Sequence, residues 1–168
     1  MPYTVINLGG VALGVGIILM YLIRWWFQEK RRWTALVPFV FAHLYGLLAA
    51  LATFTAWSLL GIVTWAAIWA ANVAGYAGLV WGVGGNAPNV TRGNPIVLTD
   101  GGFVVVFLFT LAFIALVKWA PKVPNGKLGA GAFSGVCLAL SGSVAGVAAV
   151  PLGSAANMLG AGFTGTFG

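Results

Sequence analysis

Residues 33–91 read WTALVPFVFAHLYGLLAALATFTAWSLLGIVTWAAIWAANVAGYAGLVWGVGGNAPNVT, and none of them is Asp, Glu, Lys or Arg. A helix needs about 20 apolar residues to cross the hydrocarbon core of a bilayer, and a charge near its centre costs about 2.5–3.5 kcal/mol. The length and composition of this stretch therefore predict two membrane-spanning helices joined by a tight turn. The chain is predicted to be an integral membrane protein.

The composition of the whole chain excludes an ordinary soluble domain. Of its 168 residues, 61% are hydrophobic and only 6% are charged, and the mean hydropathy is +1.01. Soluble domains carry about 25% charged residues. The length predicts one membrane domain over residues 1–168. The net charge of +6 is predicted to set orientation, because Lys and Arg are retained on the cytoplasmic side.

The fold class is predicted to be all-α, a polytopic membrane protein with about five spans. The first apolar stretch is followed, not preceded, by basic residues, so it is predicted to be a retained span and not a secretory signal. Four spans plus a re-entrant or interfacial tail is the alternative. The predicted spans cover approximately 6–27, 35–56, 62–83, 103–119 and 132–150, with a polar loop over 84–102 and a Gly/Ala-rich tail over 151–168.

A basic and aromatic cluster follows the first span and gives the orientation. Trp25, Trp26 and Trp33 are of the kind found at headgroup level, and neighbouring basic side chains reach outward from there. The cluster predicts a cytoplasmic loop and an outside N-terminus in the inner (cytoplasmic) membrane. Its juxtamembrane basic residues are Arg24, Lys30, Arg31 and Arg32. Alternation of the spans then predicts Glu29, Arg92 and Asp100 inside, and Lys118, Lys122 and Lys127 outside.

Small residues recur at four-residue spacing in three segments. This spacing places them on one helix face, where helix backbones can approach closely in lipid. The pattern predicts tight helix packing, either within the chain or between copies, and we favour a homo-oligomer. The residues concerned are Gly10 and Gly14; Ala67, Ala71 and Gly75; Ala70, Ala74 and Gly78; and Gly142 and Gly146.

His43 is the only histidine and lies about two turns into the second predicted span. An ionisable residue inside the membrane is a functional candidate, here as a proton site or a haem ligand. The alternative, which we favour, is a neutral imidazole hydrogen-bonded to a nearby hydroxyl or carbonyl. No catalytic, cofactor or metal signature accompanies it, so neither an enzyme nor a cofactor is predicted.

Two classes of function fit these patterns. The first is a non-enzymatic assembly protein, a structural or pore-forming subunit that packs through its small-residue faces. The second is a passive channel, holin-like protein or small transporter subunit, or an accessory subunit of a larger membrane complex. A channel needs a polar lining, and the tail offers Ser134, Ser141, Ser143, Ser154 and Asn157.

Three features of the chain resemble those of a known group of proteins. They are a composition rich in Ala, Gly, Trp and Val, the small number of lysines, and the basic-aromatic cluster at Arg24–Arg32. In composition and span layout the whole chain resembles small membrane proteins of actinobacterial mobile elements, the plasmid-spread (Spd-type) group. The resemblance implies an accessory role in conjugative DNA transfer beside a motor ATPase. The same cluster would then be a candidate for contact with that motor, DNA or anionic lipid. The alternative, which we favour, is that the cluster only sets the topology, and direct binding of nucleic acid is not expected.

Overall fold

The computed structural model of the protein describes residues 5–52, 58–90, 97–141 and 149–167. Within these ranges the regular structure is helical, apart from an isolated β-bridge between Asn7 and Asn89, so the all-α class is confirmed. The helices are α1 (Leu8–Phe27), α2 (Trp33–Ala52), α3 (Leu59–Tyr76), which continues as a π-helix over Ala77–Gly82, α4 (Asp100–Trp119), α5 (Asn125–Ala139) and α6 (Ala149–Phe167).

Four of the described helices are long and apolar enough to cross a membrane. They are Leu8–Phe27, Trp33–Leu51, Leu59–Gly82 and Asp100–Trp119. The region predicted as a fifth span, 132–150, holds the second half of α5 and the first two residues of α6. Between them, residues 142–148 lie outside the described part of the chain. Pro151 sits in the first turn of α6, where a proline costs no helical hydrogen bond.

Three of the helices begin at a polar side chain that caps them. The side chains of Asn7, Ser58 and Thr99 accept a hydrogen bond from the backbone N–H three residues later, at 2.7, 2.9 and 3.2 Å. Such caps satisfy one of the backbone donors that every helix start leaves free. They place the starts of α1, α3 and α4.

The α1–α2 and α4–α5 loops meet at one end of the bundle. Glu29 Oε1 lies 2.7 Å from Lys127 Nζ, and the Tyr21 hydroxyl donates to the Gly126 carbonyl at 3.2 Å. The predicted placement of Lys118, Lys122 and Lys127 on the side opposite Arg24–Arg32 is therefore wrong. We call the end formed by residues 28–32 and 120–127 the basic end.

The end of α3 lies at the opposite end of the bundle, beside the start of α1. A straight 20-residue helix such as α1 is about 30 Å long, and Gly75 packs against Gly9 at its first turn. The Leu8 amide also donates to the Pro88 carbonyl at 2.8 Å. The prediction of two complete antiparallel crossings by α2 and α3 is wrong, because these would return Gly75 to the basic end.

The second half of the chain runs the same way as the first. α4 ends at Trp119, at the basic end, so its start lies at the opposite end with that of α1. Gly160 of α6 packs against Gly101 there. Asp100 and Glu29 therefore lie at opposite ends, against the prediction that both face the cytoplasm. In the first half, α2 and α3 together take the chain once from the basic end to the opposite end. In the second half, α5 and α6 do the same.

Helices α2 and α5 form the most extensive helix pair and the centre of the bundle. Small residues allow their close approach. A Cβ added at Gly131 would lie 2.6 Å from the Phe39 carbonyl oxygen, and one at Gly135 would overlap the His43 carbonyl. The contact between α2 and α5 starts at the basic end, where the Lys127 ammonium donates to the Ala35 carbonyl at 2.6 Å. The helix pair therefore joins the two halves of the chain from the basic end into the bundle.

Candidate functional site: a cleft at the basic end

An open cleft with a volume of about 730 Å³ lies between the two loops of the basic end. The first turns of α2 and α5 form its inner wall, and the loops form its sides. Its lining residues are Gln28, Glu29, Lys30, Arg32, Thr34, Ala35, Pro38, Lys122, Val123, Pro124 and Lys127.

A nearly buried ion pair forms one side of the cleft. The Lys127 ammonium donates to both carboxylate oxygens of Glu29, at 2.7 and 3.0 Å, and to the Ala35 carbonyl at 2.6 Å. The side chain of Lys127 is 9% exposed and that of Glu29 is 20% exposed. Charges removed from water are tolerated only when paired and hydrogen-bonded, and here all three ammonium protons have acceptors.

The α1–α2 loop is held in an unusual backbone conformation. Lys30 and Arg31 are both in the left-handed region, with φ of 48° and 57°, which non-glycine residues seldom adopt. The Trp25 indole N–H donates to the Arg32 carbonyl at 2.9 Å. The Arg31 guanidinium stacks over the Trp26 ring, 3.5 Å from its centre. These contacts offset the backbone strain and hold the loop backbone that carries Lys30 and Arg32.

Three cations of the cleft have no counter-ion among the described residues. They are Lys30, Arg32 and Lys122, and the one carboxylate in the lining, Glu29, is already paired with Lys127. Charges that converge in a cleft with low-dielectric walls concentrate the electric potential. The cleft is therefore electropositive and suited to an anion.

Exposed tryptophans surround the basic end. Trp33 is 74% exposed, Trp119 is 75% exposed and Trp26 is 48% exposed. Indole rings in membrane proteins concentrate at the level of the lipid headgroups. Exposed tryptophans also occur on α3 and its continuation, at Trp69 and Trp81.

His43 lies away from the cleft, between α2 and α5. Its Nδ1 is 2.9 Å from the Ser134 hydroxyl oxygen, and that hydroxyl donates its hydrogen to the Gly131 carbonyl at 2.8 Å. The arrangement is of the kind that the neutral-imidazole interpretation predicts, and a functional role for His43 stays untested.

The predicted helix-packing residues fall into three groups. The first is covered within the chain: Gly10, Gly14, Ala71 and Gly75 are buried, and Ala67 is half-buried. The second, Ala70, Ala74 and Gly78, is exposed on α3. The third, Gly142 and Gly146, lies outside the described residues. Of the predicted juxtamembrane basic residues, Arg24 lies in the last turn of α1 and the others in the loop that follows.

Two asparagine contacts, which the sequence reasoning missed, hold the end opposite the cleft. Asn72 Oδ1 accepts a hydrogen bond from the backbone N–H of Asn7 at 2.8 Å, and Asn72 Nδ2 donates to the Val5 carbonyl at 2.7 Å. Asn157 makes the same pair of contacts with the Thr99 amide, at 2.9 Å, and the Val97 carbonyl, at 3.2 Å. We call these the two asparagine clamps.

The sequence holds a signal for the clamps in two short repeated patterns. Residues 5–10 (VINLGG) and 97–102 (VLTDGG) share a valine and a Gly-Gly pair at the same spacing. Residues 71–75 (ANVAG) and 156–160 (ANMLG) share Ala-Asn and a glycine. Each clamp joins one pattern of the first kind to one of the second, so the chain repeats a three-helix arrangement.

Within the described ranges, no group of three or more His, Cys, Asp and Glu side chains is placed to hold a metal ion. Comparison with known protein families, curated proteins and solved structures finds no match for this chain.

Proposed function

We propose that this chain is a non-enzymatic structural subunit of a membrane assembly, and that copies of it associate through the exposed face of α3. The observation that carries the proposal is that α3 has two small-residue faces of the same spacing. One of them accepts α1 through the contact of Gly75 with Gly9. The other, formed by Ala70, Ala74 and Gly78, has no helix against it in the described part of the chain.

The physical argument is that lipid supplies no hydrophobic force between helices. Association then depends on close backbone packing, which small residues at four-residue spacing permit. Gly78 adds open space, since no described atom lies within 4 Å of a Cβ built there. A second copy of α3 can therefore approach this face as closely as α1 approaches the covered one.

The test is self-association of Gly78→Leu in lipid bilayers, measured by single-molecule photobleaching over a range of protein-to-lipid ratios. We expect about a tenfold weaker dimer, which corresponds to about 1.4 kcal/mol of lost helix contact. Gly16→Leu is the matched control, because Gly16 on α1 is equally exposed and open. Equal self-association of the two variants and the wild type would contradict the proposal.

We further propose that the basic end faces the cytoplasm of a cell whose inner membrane holds the chain. Seven of the eight basic residues, all but Arg92, belong to this end or to the helix turns entering it. Such an excess of Lys and Arg is retained in the cytoplasm. The start of α1 would then lie outside. In this proposal the chain crosses the membrane four times, by α1, by α2 with α3, by α4 and by α5 with α6, in place of the five predicted spans.

Labelling of single cysteines in intact cells with a membrane-impermeant maleimide tests this orientation. In a Cys137→Ala background, Asn86→Cys should be labelled, while Gln28→Cys and Lys122→Cys should react only after the cells are opened. The reverse pattern would contradict the orientation. A difference between Gln28→Cys and Lys122→Cys would contradict the arrangement of the loops itself.

A second candidate function is that of an accessory subunit in a larger complex, such as a conjugative DNA-transfer apparatus with its own motor ATPase. The clustering of basic residues at one end favours it, because a surface of one charge sign directs the approach of an oppositely charged partner. Co-purification with a motor ATPase that depends on Arg31 and Lys118 would support this candidate over the first.

A further inference from the structure

We propose that the cleft at the basic end binds the phosphate group of an anionic lipid. The ligand class follows from the lining, which offers Lys30, Arg32 and Lys122 as unpaired cations and the Thr34 hydroxyl as a neutral hydrogen-bonding group. Phosphate oxygens accept charge-assisted hydrogen bonds from such groups. This inference is independent of whether copies of the chain associate through α3.

The charge distribution is the first argument. Glu29 would neutralise one of the cations if it were free, but Lys127 already holds both of its oxygens. The remaining like charges repel one another across a partly enclosed space, where water screens them less than on an open surface. A bound anion relieves that repulsion, and none of the other described residues in the lining can do so.

The rigidity of the site is the second argument. The Trp25 hydrogen bond to the Arg32 carbonyl and the stacking of Arg31 on Trp26 keep the α1–α2 loop in its left-handed conformation. Strained backbone of this kind persists only where the surroundings hold it in place. The backbone that carries Lys30 and Arg32 is therefore in place before any ligand arrives, which lowers the entropic cost of binding.

The position of the cleft favours a lipid over a free anion. The exposed rings of Trp33 and Trp119 place it at headgroup level, where lipid phosphates are far more concentrated than phosphate in solution. Basic pockets between membrane helices at the cytoplasmic surface are known to take anionic headgroups. Because Arg32 and Lys122 come from different loops, one phosphate group would bridge the two halves of the chain.

The experiment measures thermal unfolding of the full chain in a non-ionic detergent, with four probes at equal concentration. These are dihexanoyl phosphatidylglycerol, dihexanoyl phosphatidylcholine, inorganic phosphate and hexaglutamate. We expect phosphatidylglycerol alone to raise the Tm of the wild type. Arg32→Gln and Lys122→Gln should each weaken its apparent affinity by about fivefold. Lys118→Gln is the matched control, since Lys118 is a basic residue in the last turn of α4, next to the basic end, and does not line the cleft.

Each other outcome overturns the proposal in a different way. Equal stabilisation by inorganic phosphate would assign the cleft to a free anion and remove the lipid. Equal weakening by Lys118→Gln would reduce the effect to general attraction by a basic surface. Stabilisation by hexaglutamate but not by phosphatidylglycerol would make the cleft a docking site for an acidic protein. A Tm that no probe changes would leave the cleft without a ligand of this class.

Discussion

Gly75→Ala is expected to cost at least about 3 kcal/mol of folding free energy, the upper range for overpacking a tight contact. The new Cβ would overlap the backbone of Gly9 and Gly10, and backbone cannot rotate away as a side chain can. The same displacement would pull the Asn7 amide from Asn72, and so break a clamp hydrogen bond of 2.8 Å. Unfolding in detergent, followed by tryptophan fluorescence, measures the loss.

The control for this prediction is Gly78→Ala, one turn further along the same helical segment. Gly78 is exposed, and a Cβ there meets no described atom within 4 Å. Replacing an unstrained helical glycine with alanine should leave stability unchanged or raise it by up to about 1 kcal/mol. Equal losses from the two variants would show that the Gly9–Gly75 contact does not hold α1 to α3.

Glu29→Leu should destabilise the chain by about 3–5 kcal/mol, the usual cost of removing one partner from a buried ion pair. It leaves the Lys127 ammonium, whose side chain is 9% exposed, with only the Ala35 carbonyl. Lys127→Leu should cost less, because Glu29 is 20% exposed and its carboxylate can turn to water. Chemical or thermal unfolding of the two single variants gives the comparison.

The double variant Glu29→Leu/Lys127→Leu distinguishes the loss of the ion pair from the cost of leaving one buried charge unpaired. Without an unpaired charge to desolvate, it should recover much of the stability lost in Glu29→Leu. Lys122→Leu, which removes a cation of the same loop that has no ion pair among the described residues, should stay within about 0.5 kcal/mol of the wild type. A double variant no more stable than Glu29→Leu would rule out the unpaired ammonium as the cause.

Hydropathy located the first four helices well, but it placed a single span over 132–150 where α5 ends and α6 begins, and it could not give the helix directions. The predicted spans 6–27 and 103–119 match α1 and α4 closely, because a long uncharged stretch with a basic and aromatic end leaves little choice. The directions were assumed to alternate, span by span. The helix directions follow instead from the contacts of Gly75 with Gly9 and of Glu29 with Lys127. Neither contact can be predicted from local composition.

The basic residues of the cleft were predictable only in part. Arg24, Lys30, Arg31 and Arg32 stand out as a cluster, whereas Lys122 and Lys127 were assigned to the other side because the crossings were counted wrongly. Asn72 is a polar residue in an apolar helix, and no local pattern singles it out. Its role becomes visible only when each Ala-Asn-x-x-Gly segment is known to contact a Gly-Gly segment. That contact belongs to the tertiary structure and cannot be read from the local sequence.

The ion pair at the basic end also has a consequence for the order of biosynthesis. Glu29 and Lys127 are 98 positions apart, so at synthesis rates of about 5–20 residues per second the carboxylate waits roughly 5–20 s for its partner. During that time the Glu29 carboxylate has no ammonium partner and stays in contact with water. Burial of Lys127 is therefore a late step. The pair joins the loop between α1 and α2 to the start of α5 only after both have been synthesised.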